Sequence, residues 1–478
     1  MLLPINEKPY YNTDQIANSI SANEMFDCYL EPVPGVGLVT RRRPGLIEFA
    51  NLGSGFAGQG IFEWEAAGIV LAVSNGVIYQ LDRYGNSTAL SGETLHTSNP
   101  VVFADGQKTD GTPWLYLANG KLIYTTDGLT TATPTDINTP STATHVAWID
   151  SRFIANQPNS NRFIFTDTDP ATSTIENDYW SSTDNPVTCD ARGDQLSALF
   201  TAWQEIYAWG SQGLQIFQDD GVTPFSNIPG GFSEIGIEAV NSIKRLDNTI
   251  FALCVVDGKR VVVKFQGRSP QIVSEPVATV LAGMDTVSDA IGDIISVGGL
   301  AIYLLSFPSG QQTWAYDFKN DTWCRWGYYY GDADDRERFI GQHSCYVKAW
   351  NKHLIMSRLD GKIYELSRSA FDDAGTLCIP YRRTGHTDAG IPGARKQCNS
   401  LYLTGKPGLN ADAKLMMRWR DDGTQAWSNY LELSFDKNMV EPLNRMGTFR
   451  TRQYEFRIPA GMDTVLISAD GEFRGLRN

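Results

Sequence analysis

GSGFAG at positions 53–58 has the glycine spacing that lets a backbone approach a pyrophosphate. That chemistry also needs a helix N-terminus directly afterwards, to aim amide groups at phosphate. IFEWEAAGIVLAVS follows instead and reads as strand, so the segment is expected to be a glycine turn. No Walker lysine, G-x-S-x-G or H-E-x-x-H occurs. The histidines (His96, His145, His343, His353, His386) are dispersed, without a metal-ligand pair at helical spacing. The seven cysteines (Cys28, Cys189, Cys254, Cys324, Cys345, Cys378, Cys398) form no C-x-x-C pair. Reduced, mostly buried thiols and no zinc site are expected.

Two acidic segments have other readings. RWRDDGTQAWS (418–428) is similar to a sialidase Asp-box, but Gln425 stands where threonine belongs and Trp427 falls one place late. The expected structure is a hairpin, with Asp421 and Asp422 bonding backbone and Gly423 at positive φ. YYYGDADDRER (328–338) could hold a cation or sugar, and reads more simply as a solvated loop. Paired carboxylates for glycoside hydrolysis could also come from separate blades of a propeller, at a distance no sequence measures. Arg192-Gly193-Asp194 spells an adhesion tripeptide with nothing else in support. No catalytic, cofactor-binding or metal-binding residue is assigned.

The elements that would have to position any site are strands. A short unit recurs, with Gly or Asn at a turn, then alternating apolar residues, then Asp or another polar residue. Its copies start at 75, 119, 159, 210, 257, 310 and 360. NGVIYQLD (75–82), DGKRVVVKF (257–265) and DGKIYELS (360–367) are the clearest. A 40–50-residue period with strand patterning indicates a β-propeller of four-stranded blades, here about seven. Residues 46–374 are assigned to it. Residues 375–478 alternate without that period and suggest an antiparallel β-sandwich. Residues 1–45 form an N-terminal extension without the repeat. Short helices are expected only near Thr13–Asn23 and Pro276–Ala282. The fold class is all-β.

Charge divides at the same boundary. Residues 375–478 carry 15 Lys and Arg against 11 Asp and Glu, whereas residues 1–374 carry 25 against 43. The net charges are +4 and −18, and a chain so acidic is not expected to grip bare DNA. No apolar run reaches 18 residues, so no transmembrane helix is expected, and MLLPINEKPYYNTDQ does not read as a signal peptide.

Four stretches in order resemble the packaged-DNA stabilisation proteins of short-tailed phages, also described as tail accessory, hub or nozzle proteins. They are NEMFDCYLEPVPGVGLVTRRRPGLIEFANLG near the start, ARGDQLSALFTAWQEIYAWGSQGLQIFQDDG (191–221), LAIYLLSFPSGQQTWAYDFKNDTWCRWG (300–327), and the closure MMRWRDDGTQAWSN with LNRMGTFRTRQYEFRI. The resemblance implies a non-enzymatic virion protein, made in host cytoplasm, with no cofactor. Its copies would form a ring, a hexamer, below the portal and its adaptor. That ring would seal packaged DNA, pass it during ejection without specific binding or membrane insertion, and carry a needle, tip or tailspike. An acidic lumen suits that task because it repels phosphate. Docking onto an acidic neighbouring ring is expected through Arg382, Arg383, Arg395, Lys396, Arg418 and Arg420. The alternative is a propeller glycoside hydrolase or carbohydrate-binding protein of a phage tail, which would need convergent carboxylates in one pocket. A WD- or kelch-like binding scaffold is a weaker third reading: the W-D dipeptide is missing, and YDFKNDTW (316–323) is the only kelch-like strand pair.

Overall fold

The computed structural model describes residues 1–3, 5–11, 23–181, 186–191, 193–221, 225–329, 336–406, 414–436, 438–440, 442–458 and 464–476. The helix expected near Thr13–Asn23, the core of the acidic segment 328–338 and Arg192 of the adhesion tripeptide lie outside the described residues. The second short helix is present as Ala278–Ala282, preceded by a 3-10 turn at Glu275–Val277.

The chain folds as an all-β propeller joined to a two-layered sandwich. Seven inner strands surround one axis in the order Gly58–Trp64, Val102–Gln107, Val146–Ile149, Leu196–Ala202, Gly236–Leu246, Ile291–Val297 and Gly341–Val347. Each packs against the next, and the last returns to the first. Six sectors stand as separate sheets. The remaining sector, Ile291–Tyr329, is an antiparallel four-strand unit continuous with the larger sheet that enters the sandwich. The repeat could announce every sector but not that one of them is shared.

Local chemistry sets the hairpins. Asn75-Gly76 and Asp257-Gly258 each have two positive φ angles, 51° and 74°, then 50° and 73°. That is the type I′ geometry whose twist matches a two-residue hairpin, and it joins Ser74 to Val77 and Val256 to Lys259. Middle strands are covered on both faces and lose their polar alternation: all eight residues of LAIYLLSF (Leu300–Phe307) are buried. Register shifts at Gly58/Gly60, Leu196/Ala198, Ile237/Ala239 and Gln342/Ser344 bend the inner strands near the axis.

Apolar clusters fill every junction between neighbouring blades. Leu71, Val73 and Ile78 meet Leu115, Leu117 and Ile123 in one. Phe251 and Tyr303 stack at 5.0 Å in another. A separate core, with Leu401 and Leu403 on one layer and Met417, Tyr454 and Phe456 on the other, holds the sandwich together.

The N-terminal segment closes and stitches this assembly. Strand Gly45–Asn51 pairs with Lys362–Ser367 and completes the last blade. Upstream, the hairpin Cys28–Val33/Gly37–Arg42 joins one sandwich layer at Thr40–Leu466. Glu24–Phe26 lies against Tyr381–Arg383 in the other layer and meets Arg325 of the shared sector. At the start of the closing strand, a Cβ on Gly45 would sit 2.4 Å from the Asp372 carbonyl oxygen and 2.6 Å from that of Ala370. Those neighbours are backbone and cannot swing aside. Gly45→Ala should therefore cost about 1–3 kcal/mol, read as a lowered urea midpoint at unchanged slope.

Candidate functional site

Two regions gather polar chemistry: the ring axis, and the seam between ring and sandwich. Inner strands from several blades line an axial cavity of about 270 Å³, where Phe62, Phe103, Phe200, Lys244, Asp293 and His343 converge. A second cavity of about 400 Å³ lies alongside, lined by Asn99, Asn119, Asn156 and Gln195, and shares His145 and Asn241 with the first. Asp293 is buried and accepts the backbone N–H of His343 at 2.6 Å and of Ser344 at 2.8 Å. Burial pushes its carboxyl up while Lys244 opposes the shift. His343, at φ 57°, is driven down to about 3 by burial, with Lys244 and Arg338 adding to the effect; burial alone takes His145 to about 4. Both imidazoles are therefore neutral at physiological pH. Asp293 is the one carboxylate among the described lining residues. Its acceptors tie two adjacent inner strands together.

The seam is built by strand register. Successive strands place Arg325, Phe26, Tyr381 and Arg457 in one row, then Glu24, Arg383, Glu455 and Arg418 in the next, with Arg420 and Gln453 beyond. Residues two apart on a strand share a face, so these rows pave one side of the sheet. The other side carries Met25, Arg382, Phe456 and Met417 toward the interior.

Glu455 anchors the paved side. It is buried and meets Arg383 Nε at 2.5 Å, Arg418 Nε at 2.9 Å and Arg457 Nε at 2.9 Å, and accepts the Tyr430 hydroxyl at 2.5 Å. Burial alone would raise its carboxyl; Arg383 and the hydrogen bonds from Arg418, Tyr430 and Arg383 outweigh that and hold it at about 2. Arg383 also pairs with Glu24 at 2.7 Å. Trp427 receives three guanidiniums, with Arg383 at 5.4 Å and Arg418 and Arg420 at 4.8 Å from its ring. Arg336 lies over Phe26, Tyr329 and Tyr381 at 4.1, 4.7 and 4.7 Å. Planar guanidinium stacks on rings while keeping edge donors for carboxylates, which lysine cannot do.

The six residues expected to dock on a neighbouring ring divide sharply. Arg383, Arg418 and Arg420 come together around Trp427. Arg395 is exposed and apart from them. Arg382 and Lys396 are not surface groups. Arg382 is fully buried and donates to the carbonyls of Ile5, Glu7 and Glu24 at 2.6, 2.5 and 3.2 Å. Lys396 is fully buried too, and its Nζ donates to the carbonyls of Asp388, Ile391 and Arg450 at 2.5, 2.8 and 2.7 Å. Each satisfies three backbone carbonyls in the interior and is unavailable to a partner. Alternation placed Arg382 and Arg383 on opposite sides of a strand whose buried side the sequence did not identify.

Sequence reasoning missed Arg325, Arg336, Arg457, Glu24 and Glu455. The R-x-R at 418–420 and E-x-R at 455–457 carried the signal, since each spacing keeps both charges on one face. The hairpin at 421–423 also differs in part. Gly423 has φ 72°, as expected, and Asp422 accepts the amides of Arg450 and Thr451. Asp421 instead grips the Arg452 side chain at 2.6 and 2.8 Å.

Comparison with known proteins places the ring. No curated protein matches the chain. Among solved structures, an extracellular domain assigned to a hybrid two-component system of B. thetaiotaomicron is 9% identical, with a TM-score of 0.44, over 84% of this chain. The chain spans about half, 48%, of that structure's length. An auxiliary nutrient binding protein from Bacteroides thetaiotaomicron is 9% identical at a TM-score of 0.38, over 67% of this chain and 75% of its own. The computationally designed Ika8 protein is 12% identical at 0.35, over 67% of this chain and 99% of its own. At such scores these likenesses add nothing about function. The phage-stabilise family model, described as bacteriophage P22 Gp10, beta-propeller, matches residues 28–370, from the first N-terminal hairpin to the end of the closing blade. The chain therefore belongs to this family of phage β-propeller proteins and is a phage structural protein.

Proposed function

We propose that the protein is a tail hub, or nozzle, of the virion. Copies form a ring below the portal and adaptor, seal packaged DNA, provide the ejection channel and carry a needle, tip or tailspike. The family match over residues 28–370 carries this reading, because the matched segment is the ring itself. The architecture suits the role. N-terminal strands bind ring to sandwich on both layers, so force along a conduit meets one stiff body rather than two hinged domains. Duplex DNA runs between subunits, since the inner strands pack each against the next and leave cavities of about 270 and 400 Å³ along the axis, the size of small-ligand pockets rather than of a duplex. The net −18 on residues 1–374 repels phosphate and lets a genome slide.

The test is an image of the purified virion tail at a resolution that resolves blades, with glycan turnover assayed in parallel. Several copies encircling a channel beneath the portal are expected, with no turnover. Absence of the chain from the particle, or cleavage of a host glycan, would overturn the hub reading in favour of the hydrolase.

A further inference from the structure

We infer that the arginine-paved seam of one copy docks on the acidic third and fourth blades of a second copy, making a head-to-tail ring contact. This deepens the hub reading and rests on it. On the seam, five partly exposed guanidiniums (Arg325, Arg336, Arg383, Arg418 and Arg420) and the buried Arg457 share one sheet face with two carboxylates, Glu24 and the buried Glu455. Among the described residues, Arg325, Arg336 and Arg420 have no carboxylate at ion-pairing distance. Burial first, then Arg383 and Arg418, push the Arg420 guanidinium down, against the opposing pull of Glu24 and Glu455.

The complementary pole lies across the ring. Residues 145–235, which make the third and fourth blades after the closing one, contain twelve Asp and Glu against three Lys and Arg. That net of −9 is half of the charge on residues 1–374, held in a quarter of their length. Asp167, Glu176 and Glu205 pair with Arg152, Lys108 and Arg268, and Asp190, Asp220 and Glu234 lie exposed on the same two blades. The seam adjoins the shared sector Ile291–Tyr329; around the ring the fourth blade lies two sectors from it and the third blade three, the largest separation a ring of seven allows.

One body with a basic pole and an acidic pole on opposite sides cannot satisfy both by two-fold pairing of one patch with itself. It satisfies them by passing each pole to the next copy, a heterologous contact that generates a ring when the rotation closes. Charge complementarity of this kind fixes partner and register more than it adds affinity. Single exposed pairs are weak, about 0–1 kcal/mol each, so the contact gains strength only where geometry presents many copies together.

The test uses the full chain in assembled particles. Arg420→Cys is combined in turn with Asp190→Cys, Asp220→Cys or Glu234→Cys. Oxidation of at least one double variant should give a covalent ladder of this chain, absent from each single variant. Arg420→Glu should lower incorporation at least tenfold, Arg420→Gln should lower it less, and Arg420→Glu with Asp190→Lys and Asp220→Lys should recover most of it. Normal incorporation with no ladder from any pair would overturn the contact. So would a block by Arg420→Glu that acidic-to-basic changes never relieve, which would mean the seam meets a different protein. Failure of the unaltered chain to enter particles would instead sink the hub reading.

Discussion

Arg43→Met should lower the unfolding free energy by about 3–5 kcal/mol, the cost of leaving buried charge without its partner. Arg43 has no exposed surface and all five of its N–H donors are used. Nε meets Asp27 at 2.8 Å, and the two terminal nitrogens grip Asp373 at 2.8 and 2.6 Å. The remaining donors go to the carbonyls of Pro44 and Gly327, both at 3.0 Å. The guanidinium also lies 4.6 Å from the Phe339 ring and 5.5 Å from that of Trp326. Asp27 belongs to the N-terminal stitch, Gly327 to the shared sector and Asp373 to the chain just after the last blade. Methionine fills much of the volume but strands two buried aspartates. Urea unfolding of Arg43→Met beside Arg43→Met/Asp27→Leu/Asp373→Leu checks the cause, since removing all three charges should recover part of the loss. If the single variant loses less than about 1 kcal/mol, roughly the net worth of an ordinary hydrogen bond, the triad is not what joins these segments.

The second large effect is acid lability of the seam. Glu455 sits at about 2 in the folded chain against an ordinary 4.5. Its contribution is complete above about pH 4.5 and is lost as pH falls toward 2. A gap of that size corresponds to about 3 kcal/mol. Asp293, Asp317 and Asp373 are shifted the other way, chiefly by burial, so acidification does not weaken the folded state through them. Loss should therefore begin where Glu455 holds Arg383, Arg418 and Arg457. Hydrogen exchange between pH 4.5 and 2.5 should show strands Tyr381–Arg383 and Arg452–Arg457 opening before the blades far from the seam. Glu455→Gln should be less stable at pH 7, and its stability should change less across that interval. An unchanged acid profile in the variant would assign the lability elsewhere.

Much of the fold was legible because its information is local. Asn75-Gly76 and Asp257-Gly258 dictate hairpins by backbone conformation alone. Period-two alternation dictates strands, and a 40–50-residue recurrence dictates blades, since each sheet must cover its faces with copies of itself. The GSGFAG segment read correctly as a turn because a helix start is absent after it. The candidate surface was only half legible. Arg418 and Arg420 were recognisable as a basic pair, but Arg382 and Arg383 differ by one position and have opposite fates, one buried on three carbonyls, the other facing two carboxylates.

What the amino-acid order determined by itself is the all-β character, the repeating blade and the sign of charge on each part of the chain, because turn conformation, side-chain alternation and ionisation are properties of residues and near neighbours. Only the tertiary structure decided that residues 24–43 belong to the sandwich as much as to the ring, that one blade is shared, and that Arg43, Arg382, Lys396 and Arg457 are buried braces while Arg325 and Arg336 reach a partly exposed face. The physical reason is that burial and pairing depend on strands separated by about 300 positions in the chain, as Asp27 is from Gly327, and no local pattern records which of them will meet.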